Sequence, residues 1–490
     1  MLSYPSVNVL GGGLEKVFGF EDAVPSRGRF TLRFLDPPLE GGIPASDRET
    51  SLRLGNPEKS GEALGTYGYT RPIESPIAVY EDGTAAITHR SFGNGNAIAV
   101  GLDLGDFLLR GFSQRAETLF RGYVNEYDPA SDILMAWLGR VFRENEADAV
   151  TLGTVPDGRA FSLLLTHDID AGPSLKNSLE YARYEKSQGM RGTYFIQTKY
   201  LKDWNDAIFL DEEGARDLAA LNALGMELGS HSVCHSDVFN TFPLGTGAER
   251  YPDYRPFVKD QKTAIGGSVL GELRVSKFLI ETLGKAPVVS FRPGHLSNPT
   301  CLPQTLWATG HSYCSTVTAN ESLTHLPFQL NADRDFRAEV PVFEFPITVE
   351  DEFPPLTEDR VSAAIELTER IERVGGLYVL LIHTNETGPK LEFEKRLVEA
   401  VKEKAWTGSI RDFGDWWVAR NAVSADVVPA GRRKTLELTA PLEIEGLSVR
   451  VPSRWEWTGS DPVDCATPSG AGVVFLKKIQ GTVTLFFRDR

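Results

Sequence analysis

Between residues 160 and 420, short apolar runs alternate with longer stretches of helical periodicity, and this alternation constrains the fold more than any other feature of the chain. The apolar runs fall at 161–167, 192–197, 226–230, 287–291, 312–317, 343–349 and 376–382. Helical patterns are predicted at 174–188, 211–224, 262–283, 358–374 and 390–404, several ending at a glycine: Gly189, Gly225, Gly284 and Gly375. Strands joined through helices run parallel, because the crossover returns the chain to the edge it left. Seven such strands suit a closed barrel better than a flat sheet. In parallel barrels the loops after the strands converge on one rim, so polar residues at the C-terminal strand ends are where chemistry is expected.

The flanks read differently. "PIAVYEDG", "TAAITHRSFG" and "NAIAVGLDLGDFLLRG" are short apolar runs separated by Asp-Gly and Asn-Gly turns, followed by a predicted helix over 129–143. Loop signals outnumber any periodicity before residue 70. The tail, with "TLELTAPLEIEGLSVRV" and "GVVFLKKIQGTVTLFF", alternates polar and apolar residues at period two. The expected class is therefore α/β: an N-terminal α/β module over 1–155, a seven-stranded barrel over 156–425, and a small C-terminal β-sandwich over 426–490.

Composition narrows the partners. The chain has 490 residues, with 51 basic against 67 acidic side chains and a net charge of -16, so a nucleic-acid backbone would be repelled. The four cysteines, Cys234, Cys301, Cys314 and Cys465, show neither metal-site nor disulfide-framework spacing. No stretch approaches the ~20 apolar residues of a membrane span, and the N-terminus has no basic start leading into an apolar core. As it stands the sequence reads as cytoplasmic; a chain whose leader had been removed would read the same and work outside the cytoplasm. The outer modules are candidates for pairing copies of the chain into a homo-oligomer.

Four of the seven strand ends carry acids, imidazoles or a guanidinium. The first run leads into His167, Asp168 and Asp170; the third into His231 and His235; the fourth into Arg292 and His295; the seventh into His383. Five of the chain's eight histidines thus stand at strand ends. Two histidines with three residues between them, and one carboxylate, make a set that suits Zn²⁺ and also accepts Co²⁺, Ni²⁺ or Fe²⁺. Such a site leaves room for water, whose pKa a bound metal lowers to about 7. A second carboxylate can then take the proton, and His383 is the candidate acid for the leaving group. An aspartate after a strand also caps helices, which accounts for one of the pair but not both. The segment 241–260 has no helical periodicity, and its length predicts a border of the substrate cleft, with Tyr251, Tyr254 and Arg255 as contacts.

In order along the chain, "HSVCH", "FRP", "LLIHTN" and "DFGDWW" resemble the motifs of the polysaccharide deacetylase family, the NodB-type carbohydrate esterases, over residues 160–420. The resemblance implies a distorted (β/α)7 barrel and metal-dependent removal of N- or O-linked acetyl groups from a poly- or oligosaccharide, with metal-bound water attacking the acetyl carbonyl. Carried over by position, it implies His231, His235 and Asp170 as metal ligands, Asp168 as base, Arg292 as its orienting partner and His383 as acid. His167 and His295 would hold substrate or the ligands in place. The sequence departs from the family's Thr-Phe-Asp-Asp-Gly pattern: here it is Thr166-His167-Asp168-Ile169-Asp170. That spacing also occurs in branches acting on non-sugar amides, so base and ligand are open to exchange, and hydrolysis of a small cyclic amide or ureide is the alternative. A non-catalytic carbohydrate-binding or assembly protein is the third reading.

Overall fold

All nine residues of β1 (Phe161–Ile169) are buried, as expected of a parallel strand covered on both faces. In the computed structural model, which describes residues 13–36, 50–58, 63–112, 130–317, 326–335, 338–352, 357–431, 433–470 and 472–490, β1 lies inside a sheet of parallel strands. The others are β2 (Thr193–Ile196), β3 (Glu227–Ser230), β4 (Ser290–Phe291), β5 (Tyr313–Cys314), β6 (Glu339–Glu344) and β7 (Leu377–His383), in the order β6-β5-β4-β3-β2-β1-β7. Six of the seven fall on the apolar runs; β6 begins four residues before the sixth run and overlaps it only at Phe343 and Glu344. The chain after β6 then reaches the far edge: Thr348 N donates to Val379 O at 2.9 Å, and Leu381 N donates to Val349 O at 2.8 Å. The sheet curls until its two ends share hydrogen bonds.

The connecting helices include α1 (Gly172–Ser187), α2 (Glu212–Leu224), α3 (Val269–Gly284), α4 (Leu302–Ala308), α5 (Thr357–Arg373), α6 (Pro389–Val401) and α7 (Ile410–Asn421). Two boundaries correct the sequence reading. The pattern taken as helix from 262 begins instead as a hairpin, Phe257–Asp260 with Thr263–Ile265; Gly266 and Gly267 break the chain, and Ser268 caps α3 through its bond from Gly271 N at 3.1 Å. At the other end of α3, Lys285 rather than Gly284 takes the left-handed turn, at φ 57°. The sheet also gains an antiparallel edge strand, Phe328–Asn331 beside β6, and Ala405–Thr407 pairs with the start of β1.

The described residues up to Ala149 form one compact unit and those from Val150 onward a second. The first holds a seven-stranded sheet that is antiparallel throughout, around a core including Leu32, Phe34, Tyr80, Phe107 and Trp137. Four of its strands, Asp22–Ser26, Thr31–Phe34, Ser51–Arg53 and Thr66–Thr70, lie where the sequence showed only loop signals. They are short and carry little apolar repetition. The tail contributes five strands to an antiparallel sheet: Arg433–Arg450 and Val473–Asp489 pair along most of their length, with the register shifting between Ala440 and Ile444. Thr151–Leu152 joins its edge, and α7 packs against it through Trp416 Nε1, which donates to Glu445 O at 2.9 Å. Among the described residues, no helix is long and apolar enough to cross a membrane.

At the N-terminal end of the curled sheet, the buried Glu227 carboxylate accepts from Thr193 Oγ1 at 2.8 Å, Arg411 N at 3.0 Å and Ser290 Oγ. It thus ties β2, β3, β4 and α7 together. Glu227→Ala strands these donors in a dry interior and is expected to cost about 2–3 kcal/mol, read as a lower denaturant midpoint with metal content unchanged. An unaltered midpoint would contradict this role.

Candidate metal centre

The alternation of β1 sends Thr166, Asp168 and, just beyond the strand, Asp170 to one face, and His167 to the other. The register of the neighbours brings the inward set together: β7 places His383 level with Asp168, and β2 places Phe195 there. Asp170 Oδ1 lies 3.2 Å from His231 Nε2 and 3.6 Å from His235 Nε2, and Asp170 Oδ2 lies 3.5 Å from His383 Nε2. Donor atoms of Asp170, His231 and His235 all fall within 4.8 Å of one another.

The orientation of His231 decides what can sit among them. Its Nδ1 is 2.8 Å from the Arg292 carbonyl, which can only accept, so the Nδ1 proton is used there and a neutral ring turns a bare Nε2 lone pair toward Asp170. Asp170 Oδ1 is buried without a donor of its own. Two lone pairs at that distance repel unless a proton or a cation lies between them, and the third donor, His235 Nε2, favours a cation. Two imidazoles and one carboxylate fit Zn²⁺ or a neighbouring divalent ion, with a coordination position left over.

The charges reinforce one another. Burial pushes the Asp170 carboxyl up, but His235, His231 and His383 outweigh it and hold the group well below the usual carboxylate range. Burial pushes His235 down to about 3, against the pull of Asp170 and with the help of His231 and His295, which keeps the ring neutral, as ligation requires. Burial also opposes charge on His383, yet the bond to Asp351 and the field of Asp351, Asp170 and Asp168 push it up to about 10. Asp351 grips this ring: its Oδ1 lies 2.7 Å from His383 Nδ1, its Oδ2 accepts from His383 N at 2.9 Å, and Lys390 Nζ stands 2.6 Å from Oδ2.

Asp168 is held from the opposite side. Arg292, fully buried, donates to Asp168 Oδ1 at 2.8 Å, Thr166 Oγ1 at 3.0 Å and Ser315 Oγ at 2.8 Å, and its guanidinium lies over the Phe195 ring at 4.3 Å. Asp168 Oδ2 stays 3.8 Å from His231 Nε2.

The loop carrying His231 and His235 is under local strain. Of the ten described non-glycine residues with positive φ, four stand here and in the facing loop: Ser232, His235, His295 and Leu296. A Cβ at Gly294 would come within 2.5 Å of His235 Cδ2, so the facing backbone approaches this ring as only glycine allows. Glu272 holds the loop from beneath, its Oε2 accepting from Val233 N at 2.7 Å and Cys234 N at 2.9 Å.

Not every residue singled out in the sequence reaches this cluster. His167 faces away, with Nε2 2.6 Å from Glu185 Oε1, because strand alternation turns it out of the sheet's interior. Tyr254 is buried, its hydroxyl donating to Glu272 Oε1 at 2.8 Å; it supports the histidine loop from below instead of lining a cleft. Tyr251 is exposed and packs edge-on against Tyr200 at 5.1 Å, and Arg255 is exposed on the same segment; neither bonds to the Asp170 set. His295 lies beside the cluster, its ring 4.6 Å from that of His235. Cys234 is buried, burial pushes its thiol far up, and it is not among the donors gathered around Asp170. Sequence reasoning missed Asp351, Lys390, Ser315 and Glu272. Asp351 had a signal, since it follows the sixth apolar run; the others act across long stretches of chain.

No protein-family profile and no curated protein matches the chain. Among solved structures it is similar to one described as Agd3, a novel carbohydrate deacetylase, at 12% identity over 96% of this chain and 83% of that one, with a TM-score of 0.38. It is similar to the chitin deacetylase of Colletotrichum lindemuthianum at 13% identity over 54% of this chain and 89% of that one, with a TM-score of 0.34. A CE4-family pseudoenzyme from Bacillus anthracis is similar at 13% identity over 53% of this chain and 66% of that one, with a TM-score of 0.29. Likenesses this distant carry no functional argument, which rests on the residues themselves.

Glu272→Ala removes the acceptor shared by Val233 N and Cys234 N. It is expected to weaken metal affinity about 10- to 100-fold, measured by chelator competition, with the fold retained. Unchanged affinity would show that the loop holds its shape without Glu272.

Proposed function

We propose that this protein is a metal-dependent hydrolase that removes acetyl groups from a glycan, with the curled parallel sheet as a distorted (β/α)7 barrel and residues 156–425 supplying the chemistry. One observation carries the reading: two imidazoles and a carboxylate, donors of the kind that bind metals, lie together, with an arginine-held carboxylate and a carboxylate-held imidazole beside them. A bound divalent ion, with Zn²⁺ the best fit, would polarise an acyl carbonyl and activate water.

The protein's own groups divide the remaining work. His231, His235 and Asp170 hold the ion. Asp168, kept in place by Arg292, accepts the proton from the attacking water. His383, kept charged by Asp351, is the proton donor to the departing amine or alkoxide. The motifs "HSVCH", "FRP", "LLIHTN" and "DFGDWW" support an acetylated carbohydrate as substrate. Hydrolysis of a small cyclic amide uses the same groups and is favoured by the Asp168-Ile169-Asp170 spacing; comparing acetate release from acetylated oligosaccharides with turnover of small amides separates the two.

His231→Ala is expected to lose the ion of this centre along with activity. Asp168→Asn is expected to keep that ion while kcat falls about 10²- to 10⁴-fold. Metal analysis beside steady-state kinetics reads both, and full activity in Asp168→Asn would remove it as the base. Asp351→Asn frees the His383 ring and is expected to lower kcat with little change in KM; a change confined to KM would make the pair a substrate contact instead.

A further inference from the structure

Behind the rim, on the outer face of the same strand, three ionisable side chains meet with almost no exposure: His167 on β1 at 1%, and Glu185 on α1 and Glu394 on α6 at 0% each. His167 Nε2 lies 2.6 Å from Glu185 Oε1 and 3.6 Å from Glu394 Oε2, and one donor atom from each residue falls within 4.8 Å of the others. The rings of Tyr181 and Tyr194 pack against the imidazole at 5.2 and 4.6 Å.

The protein leaves this cluster unsatisfied. Both oxygens of Glu394, Oε2 of Glu185 and Nδ1 of His167 are buried without a hydrogen-bond partner. A buried carboxylate without donors is costly, and burial together with the charge of Glu185 pushes the Glu394 carboxyl far above the usual carboxylate range, so the second acid needs either a proton or a cation beside it. No lysine or arginine forms an ion pair with either glutamate among the described residues. A divalent cation meets that need: its two charges cancel the carboxylates, the imidazole stays neutral, and the bare oxygens become ligands.

We propose that His167, Glu185 and Glu394 form a second, structural metal site that takes a divalent transition ion such as Zn²⁺ and ties β1 to α1 and α6. Nitrogen and oxygen donors of this kind suit zinc. Seating it lengthens the His167–Glu185 contact to about 3.3 Å, the separation of two donors at ~2.0–2.1 Å from a tetrahedral ion. The site is closed, so the ion enters as the chain folds and is held as a staple rather than exchanged with substrate.

Zinc content of the full chain, produced with zinc and freed of loosely held ions, tests this. About two equivalents are expected in the wild type, one in the double variant His231→Ala/His235→Ala, and none when Glu394→Gln is added to that double variant. The double variant leaves this triad untouched, so its reading does not depend on whether Glu394→Gln folds. A folded double variant without zinc overturns the proposal and leaves a proton-bridged triad in its place. Zinc that persists after adding Glu394→Gln overturns it as well. A single wild-type equivalent that survives the double variant and disappears with Glu394→Gln supports this site while removing the ion from Asp170, which keeps the two readings distinguishable.

Discussion

Arg292 carries a full charge with no exposure to solvent, and the desolvation this costs is offset only because every direction of its fork finds a partner. The partners come from different strands. Asp168 and Thr166 belong to β1, and Ser315 follows β5. The same residue offers its carbonyl to His231 Nδ1, fixing the ring that faces Asp170. One buried arginine, through its guanidinium and its carbonyl, thus sets the position of the Asp168 carboxylate, the tautomer of His231 and the spacing of strands across the sheet.

That arrangement requires a fixed register. β1 is hydrogen-bonded along both sides, to β2 and to β7, so its side chains cannot slip by one position without exchanging faces. A slip would turn His167 into the site and Asp168 out of it. The alternation therefore makes two chemical environments from five consecutive residues. Inside, Asp168 and Asp170 meet imidazoles and a guanidinium; outside, His167 meets two glutamates.

The strands of the curled sheet were legible because parallel strands buried on both faces read as unbroken apolar runs, as Leu163 to Leu165 and Leu377 to Ile382 do. The first unit was harder to read, since strands such as Ser51–Arg53 are three residues long and draw their stability from neighbours. In the candidate site, residues at strand ends stood out, because a rim concentrates chemistry at predictable places. Tyr254 and His167 were misplaced for opposite reasons. An aromatic residue in a long loop resembles a ligand contact until its hydroxyl is seen on Glu272, and a histidine beside two aspartates resembles part of their site until strand alternation separates them.

Local pattern by itself determined the parallel α/β alternation, six of the seven strand positions and the placing of His231, His235, Asp168, Asp170, Arg292 and His383 at strand ends, since periodicity and spacing are properties of neighbouring residues. Tertiary structure alone decided that Asp351 and Lys390 hold His383, that Glu272 and Tyr254 brace the histidine loop, and that Glu185 and Glu394 close around His167. Those pairings join residues 18 to 227 positions apart in the chain, so they exist only once the sheet has curled and brought its helices alongside.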